Sequence, residues 1–220
     1  MTDFNSSYIG VRQDILKYIV GENIVVLDVG CATGKNGMFL LENKIATKVY
    51  GIEFHKEMAN EAKLNNTRVF QGDLNLIEFR NEIISESPQF NYILFGDILE
   101  HLYEPQTVLK ELSKKLKPNG QIIISLPNIA HIELFIQIYI KGTWPKNSRG
   151  IFDRTHIRWF TRRDAFTMVE NCDLKVLKYE RKFRARDALG SSFNWKYEII
   201  KFLKKDWVTF QHILICNYEK

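Results

Sequence analysis

Five short apolar runs, each ending on small or polar residues, alternate with helical patterns over residues 23–127. The runs are "NIVVLDVG" (23–30), "KVYGIEF" (48–54), "RVFQGD" (68–73), "FNYILFGD" (90–97) and "GQIIISLP" (120–127). They are nearly continuous in Ile, Val and Leu, so both faces of each strand are predicted to be covered, as in a parallel sheet. Between them the spacing turns helical: Val108, Leu109, Leu112 and Leu116 form an apolar stripe, while Lys110, Glu111, Lys114 and Lys115 take the other faces. The "KPNG" that follows supplies Pro and Gly stop signals. This alternation predicts a doubly wound, Rossmann-like, three-layer α/β/α fold with a mostly parallel sheet.

After Pro127 the rhythm changes. Residues 128–160 are aromatic and loop-rich, and a helix over 161–172 is predicted to start at Thr161 as its N-cap. A strand over 174–183, an inserted helix over 191–206 and a last strand over 207–220 complete the chain as an antiparallel pair at the sheet edge. A length of 220 residues suits one domain with a full core. No apolar run reaches the roughly 18–20 residues of a membrane helix, since "IELFIQIYI" is about half that and contains Glu133 and Gln137. The N-terminal residues lack a basic stretch followed by an apolar one, so a cytoplasmic location is expected. Cys31, Cys172 and Cys216 are odd in number and widely spaced, which argues against disulfides or a zinc site.

In an open α/β sheet, ligands sit beyond the carboxyl ends of the strands. Gly30 and Gly34 allow a tight turn and a close ligand approach after the first strand. The turn is not a P-loop, because Lys35 is followed by Asn36 and not by Ser or Thr. It is not the dinucleotide GxGxxG either: Ala32 stands where a pyrophosphate would press on the second glycine. Asp28 offers a carboxylate to an ammonium group, Glu53 is placed to accept from two ribose hydroxyls, and Asp73 to accept from an adenine amine. A nucleoside carrying an amino acid fits these features, and S-adenosylmethionine is such a molecule.

The segments "VLDVGCATGKNG", "GIEF", "QGDL" and "FGDILEHL" resemble the successive motifs of class I S-adenosylmethionine-dependent methyltransferases, over about residues 20–127. The resemblance implies a seven-stranded sheet with an antiparallel last strand. It also implies cofactor contacts from Asp28, Gly30, Cys31, Ala32 and Gly34 in the first motif, and from Glu53 and Phe54 in the second. Gly72, Asp73 and Leu74 would follow in the third, and Gly96, Asp97 and Ile98 in the fourth. Ala32 departs from the glycine many members carry, and its methyl is expected to be tolerated. On this reading residues 1–220 form a single methyltransferase domain: 20–127 hold the cofactor, 128–160 form an acceptor-site lid, and 161–220 supply the C-terminal helix and edge strands.

Methyl transfer to a hydroxyl needs alignment and removal of a proton, a task suited to histidine. His101, His131 and His156 are the three candidates; His55 is expected beside the adenosine and His212 in a structural role. Residues 95–134 together with "GIFDRTHIRWFTRRDAFTMVEN" resemble a subgroup of small bacterial methyltransferases associated with cell-surface polysaccharide modification, which implies a sugar hydroxyl as acceptor. Trp144, Arg149, Asp153, Arg154 and Arg158 are the candidate substrate residues, with Trp159 as a further stacking surface. No metal site is expected: Asp97, Glu100 and His101 are close in sequence, but a divalent ion needs ligands from elsewhere. The rival acceptors are a quinone-pathway phenol or an amine. An RNA partner rests on the basic, aromatic C-terminal third, where most of the net charge of +5 lies. Against RNA, "GDILEHL" follows the fourth strand where base methylation would ask for an "NPPY"-type signature. The expected partners are therefore a small-molecule or glycan acceptor and no nucleic acid, with a homodimer left open.

Overall fold

The computed structural model of the chain describes residues 10–187 and 195–218. Its strands are β1 (Val25–Val29), β2 (Lys48–Glu53), β3 (Arg68–Gln71), β4 (Phe90–Gly96), β5 (Leu116–Pro127), β6 (Leu174–Phe183) and β7 (Thr209–Tyr218). The helices are α1 (Gln13–Leu16), α2 (Lys35–Glu42), α3 (Lys56–Asn65), α4 (Ile77–Glu86), α5 (Pro105–Ser113), α6 (Ile132–Phe135), α7 (Arg162–Glu170) and α8 (Trp195–Leu203). One seven-stranded sheet runs in the order β3-β2-β1-β4-β5-β7-β6. β1 to β5 pair in parallel, and β7 runs antiparallel to both of its neighbours.

Alternate residues of the central strands feed two cores, as expected for a sheet covered on both sides. Leu27, Val29, Ile93, Phe95, Ile122 and Ile124 pack with apolar residues of α4, α5 and α7. Val26, Leu94, Ile123, Ile213 and Ile215 pack with Ile15 and Leu16 of α1 and Leu40 of α2. All the central-strand side chains named here are at most 3% exposed, so the sheet's middle is sealed on both faces.

One local expectation changes. The "KPNG" stretch does not end a helix: α5 stops at Ser113 and β5 begins at Leu116. Asn119 there takes a left-handed φ of 63°, and the β4–β5 register slips between Phe90 and Tyr92, so the turn chemistry is spent as an irregularity in a strand. The last two strands do form an antiparallel pair at the sheet edge, with the later strand on the inside: β7 lies between β5 and β6, so β6 runs with the parallel strands and β7 alone against them. The expected helix over 191–206 is described from Trp195, and its first residues, 191–194, lie outside the described residues.

Thr161 does cap α7: its hydroxyl accepts from the Asp164 N–H and the Asp164 carboxylate accepts from the Thr161 N–H, a reciprocal capping box. Within residues 128–160 there is one turn of helix, α6, continued by a π-turn over Ile136–Ile140. No helix among the described residues is long and apolar enough to cross a membrane.

Gly37, inside α2, is required by proximity. A Cβ there would lie 1.7 Å from Asn66 Oδ1 and 3.0 Å from the Asn65 carbonyl oxygen at the end of α3. In an exposed helix, Gly→Ala stabilises by about 0.5–1 kcal/mol. Here the sign reverses, and Gly37→Ala is expected to cost about 1–3 kcal/mol through overpacking. Urea unfolding at neutral pH measures it; an unchanged or raised midpoint would show that the α2–α3 contact yields freely.

Candidate active site

The strand order reverses between β1 and β4, and the carboxyl ends of β1, β2 and β4 converge there. After β1 the chain makes a turn in which Gly30, Ala32 and Gly34 all have positive φ, at 77°, 47° and 77°. Ala32 therefore occupies a conformation that disfavours a Cβ by about 1–2 kcal/mol, which accounts for a glycine preference at this position. Two hydrogen bonds hold the turn. The Ala32 N–H donates to Glu53 Oε2 at 2.9 Å, and Asn65 Nδ2 donates to the Thr33 carbonyl at 2.8 Å. The other carboxylate oxygen, Glu53 Oε1, accepts the His55 N–H at 2.8 Å. One carboxylate thus joins the β1 turn to the start of α3.

Asp28 is buried in β1 and accepts from Asn36 Nδ2 at 3.1 Å. Burial pushes its carboxyl up to about 6, against the opposing pull of Asn36 and Arg12. Cys31 is buried beneath the turn, and burial raises its thiol well above the ordinary range. At the third strand end, Asp73 Oδ1 accepts from the Asn75 N–H and side-chain amide, Leu74 is buried, and Phe54 is 59% exposed. A Cβ on Gly72 would strike the Phe79 ring at 2.7 Å. A Cβ on Gly30 would meet Ile98 Cδ1 at 3.0 Å, so the first and fourth motifs touch.

Asp97 is also tied to other elements of the fold. It adopts a positive φ of 57°, and its oxygens accept from Ser125 Oγ (2.9 Å), Gln211 Nε2 (2.6 Å) and the Arg12 guanidinium. With Gly96 before it, Asp97 knots β4 to β5, β7 and the segment preceding α1. Arg12 also bonds Asp14, whose carboxyl is held well below the usual range by Arg12 and Lys182, although burial alone would raise it. Arg12 and Gln211 carry no motif and lie far from Asp97 in sequence, so no local signal marks them.

The three candidate histidines separate. His131 is 1% exposed and caps α6: Nδ1 accepts the Glu133 N–H at 3.1 Å and Nε2 pairs with the Arg184 carbonyl at 2.8 Å. With both ring nitrogens occupied by backbone, His131 is a structural lock in this arrangement and not a free base. His101 and His156 come together instead, with ring centroids 4.8 Å apart. His101 ends the 3-10 turn Leu99–His101 that follows β4, and its Nδ1 lies 3.2 Å from the Thr155 carbonyl. Burial lowers its pKa. His156 Nε2 lies 3.8 Å from Glu100 Oε1, and burial, reinforced by His101, lowers His156 to about 4.

Glu100 is the residue that sequence reasoning weighed only in passing. It is 1% exposed, Oε2 has no hydrogen-bond partner, and burial pushes its carboxyl well above the usual range, with Asp97 adding to the shift. Its backbone carbonyl accepts both the Ile157 and Arg158 N–H groups at 3.0 Å, fastening the 151–158 segment over the 3-10 turn.

Among the expected substrate residues, Asp153 is buried and its Oδ1 accepts from the Thr155 N–H and hydroxyl. Arg158 donates through Nε and Nη2 to the Tyr103 carbonyl at 3.1 and 2.6 Å. Both shape the loop that carries His156. Arg149 and Arg154 are exposed. Trp144 is 45% exposed and meets Phe152 and Trp159 edge to face.

A family model described as a methyltransferase domain matches residues 7–179. The ubiquinone biosynthesis O-methyltransferase of Shewanella sp. is 25% identical over 184 residues, covering 82% of this chain and 72% of that one. The demethylmenaquinone methyltransferase of Oceanobacillus iheyensis is 31% identical over 140 residues, covering 61% of this chain and 59% of that one. An uncharacterized protein of Methanocaldococcus jannaschii is 28% identical over 137 residues, and the chain spans only half of its length. Among solved structures, a SAM-dependent methyltransferase from Archaeoglobus fulgidus superposes with a TM-score of 0.63 at 19% identity, covering 93% and 90% of the two chains. The chain belongs to the methyltransferase-domain family, as a class I, S-adenosylmethionine-dependent member.

Proposed function

We propose that the protein methylates a hydroxyl group of a small molecule at the cleft between the β1 turn and the Glu100–His101–His156 cluster. The residues present fit the donor. Gly30, Ala32 and Gly34 present backbone with no side chain beyond a methyl, and the buried Asp28 and Glu53 supply carboxylates at adjoining strand ends. Asp28 receives the ammonium group, Glu53 the ribose hydroxyls, and Asp73 and Leu74 flank the base. Bound there, S-adenosylmethionine supplies an electrophilic methyl group on a sulfonium.

The observation that carries the acceptor side is the cluster of buried Glu100 with half-buried His101 and His156, whose first two members closely follow Ile98, the residue that abuts Gly30. Two imidazoles and a carboxyl without a full set of partners stand beside the donor loop, where a hydroxyl must be oriented and lose a proton. The segment that carries His156 also exposes Trp144, Trp159, Arg149 and Arg154, side chains suited to a saccharide, including one that carries phosphate. A second reading, a phenol of quinone synthesis, is favoured by the Shewanella relative, whose name assigns it ubiquinone biosynthesis.

Radiolabelled methyl transfer to nucleotide sugars, quinone-precursor phenols and tRNA separates these readings. Labelling of a sugar is the expected result; labelling of RNA alone would refute the small-molecule reading. With the labelled acceptor, His156→Ala should lower turnover by about 100-fold or more, in the range of a lost acid–base group, while S-adenosylhomocysteine affinity holds. Wild-type turnover in both His156→Ala and His101→Ala would remove this cluster from the reaction.

A further inference from the structure

The geometry points to a divalent transition-metal site formed by Glu100, His101 and His156. Each contributes one ligand atom, and the three atoms all lie within 4.8 Å of one another. Protein ligands of one ion bound at about 2.1 Å stand roughly 3.4 Å apart in a tetrahedral shell, so side-chain rotations of an ångström or so close the set. One separation, Glu100 Oε1 to His156 Nε2, is already 3.8 Å.

Two independent features identify this as more than a chance cluster. Glu100 Oε2 is buried and has no hydrogen-bond partner among the described residues, so the carboxylate form is costly there unless a cation binds it, the alternative being a protonated carboxyl. His101 also has the orientation typical of a metal ligand. Its Nδ1 faces the Thr155 carbonyl at 3.2 Å, which selects the tautomer whose Nε2 lone pair is available. The fixed elements agree: Glu100 and His101 are consecutive on the 3-10 turn, and the Glu100 carbonyl clamps the backbone just after His156.

The donor set defines the ion. Two imidazoles and one carboxylate suit Zn²⁺, Mn²⁺, Fe²⁺ or Co²⁺, whereas Mg²⁺ and Ca²⁺ favour all-oxygen shells. Three protein ligands leave at least one coordination position open, and a hydroxyl oxygen of the acceptor would take it. That last assignment rests on the acceptor site proposed above; the ion site itself does not. The sequence had set this possibility aside for want of a ligand from elsewhere, and His156 is that ligand.

The test uses the full chain, stripped with chelator and exchanged into metal-free buffer. Mn²⁺ is followed by electron paramagnetic resonance and Zn²⁺ by titration calorimetry, with Mg²⁺ as the comparison ion. One Mn²⁺ or Zn²⁺ per chain at micromolar affinity is expected, with Mg²⁺ at least tenfold weaker. Glu100→Gln, nearly isosteric, and His156→Gln should each weaken Zn²⁺ at least tenfold while S-adenosylhomocysteine binding and circular dichroism match the parent. No saturable site, or full-strength Zn²⁺ binding in both variants, overturns the inference. The outcomes separate from the acceptor reading. If neither His156→Ala nor His101→Ala alters turnover while the ion binds, the metal site stands without that reading. If turnover collapses in His156→Ala while no ion binds, the acceptor reading stands without the metal.

Discussion

Glu53→Ala should weaken S-adenosylhomocysteine binding at least tenfold, and Glu53→Gln by less. The carboxylate has two duties that converge on the same ligand. It holds the β1 turn, through the Ala32 N–H at 2.9 Å, and the start of α3, through the His55 N–H at 2.8 Å. Hydrogen bonds to a charged group contribute about 1.5–3 kcal/mol each. Losing the first also releases Ala32, which holds a left-handed φ of 47°. Alanine leaves two amide donors without their partner and removes the acceptor proposed for the ribose. Glutamine keeps one oxygen and so retains one of these contacts. Calorimetric titration reads the result, and full-strength binding by the alanine variant would sink the cofactor assignment.

His212 should remove about 3 kcal/mol of stability as the pH falls from 6.5 to 4. His212 lies on β7 at 0% exposure, between Leu126 of β5 and Arg181 of β6. Its Nδ1 pairs with the Tyr179 hydroxyl at 2.7 Å, and Nε2 has no hydrogen-bond partner among the described residues. Burial lowers its pKa to about 4; Asp206 opposes the shift, and Arg181 and Arg162 reinforce it. Above pH 6.5 the ring is neutral in both states. As the pH falls, the unfolded chain binds a proton that the folded chain refuses until about pH 4, so stability drops across that window and levels off below it. His101, His131 and His156 are also lowered by burial and act in the same direction, whereas the raised carboxyls of Asp28 and Glu100 take up protons first in the folded chain and act against them. Urea unfolding at pH 7 and pH 4.5 measures the slope. His212→Gln should flatten it, and an unchanged slope would exclude His212 as a main contributor.

The parts of this molecule that could be read from sequence are those built from neighbours along the chain. Strands β1 to β4 end in "LDV", "GIE", "FQ" and "LFG" because periodicity and the residues that stop it are local, and the donor-side residues proposed above lie at or just beyond these ends. The Thr161 cap was legible for the same reason. Strand order is different: whether β7 lies outside β6 or between it and β5 depends on pairings across long separations, to which apolar patterning is indifferent. Side-chain roles behaved likewise. His131, His101 and His156 look alike in sequence, yet one spends both nitrogens on backbone while the others meet over Glu100. Asp97 carried the motif but serves Arg12, Ser125 and Gln211, partners that no short window contains.

The insertion of β7 between β5 and β6 also sets an order of events as the chain leaves the ribosome. β6 is synthesised before the strand that separates it from β5, so it has no place in the sheet until β7 arrives. Until then, the edge at Ile122–Ile124 is an unpaired apolar template, open to its own kind. The nascent protein can assemble the donor half early, but its final closure waits on a long-range pairing, the slow kind of step. Crowded translation would therefore be when this chain is most prone to associate through β5, and a slow finish to synthesis would prolong that exposure.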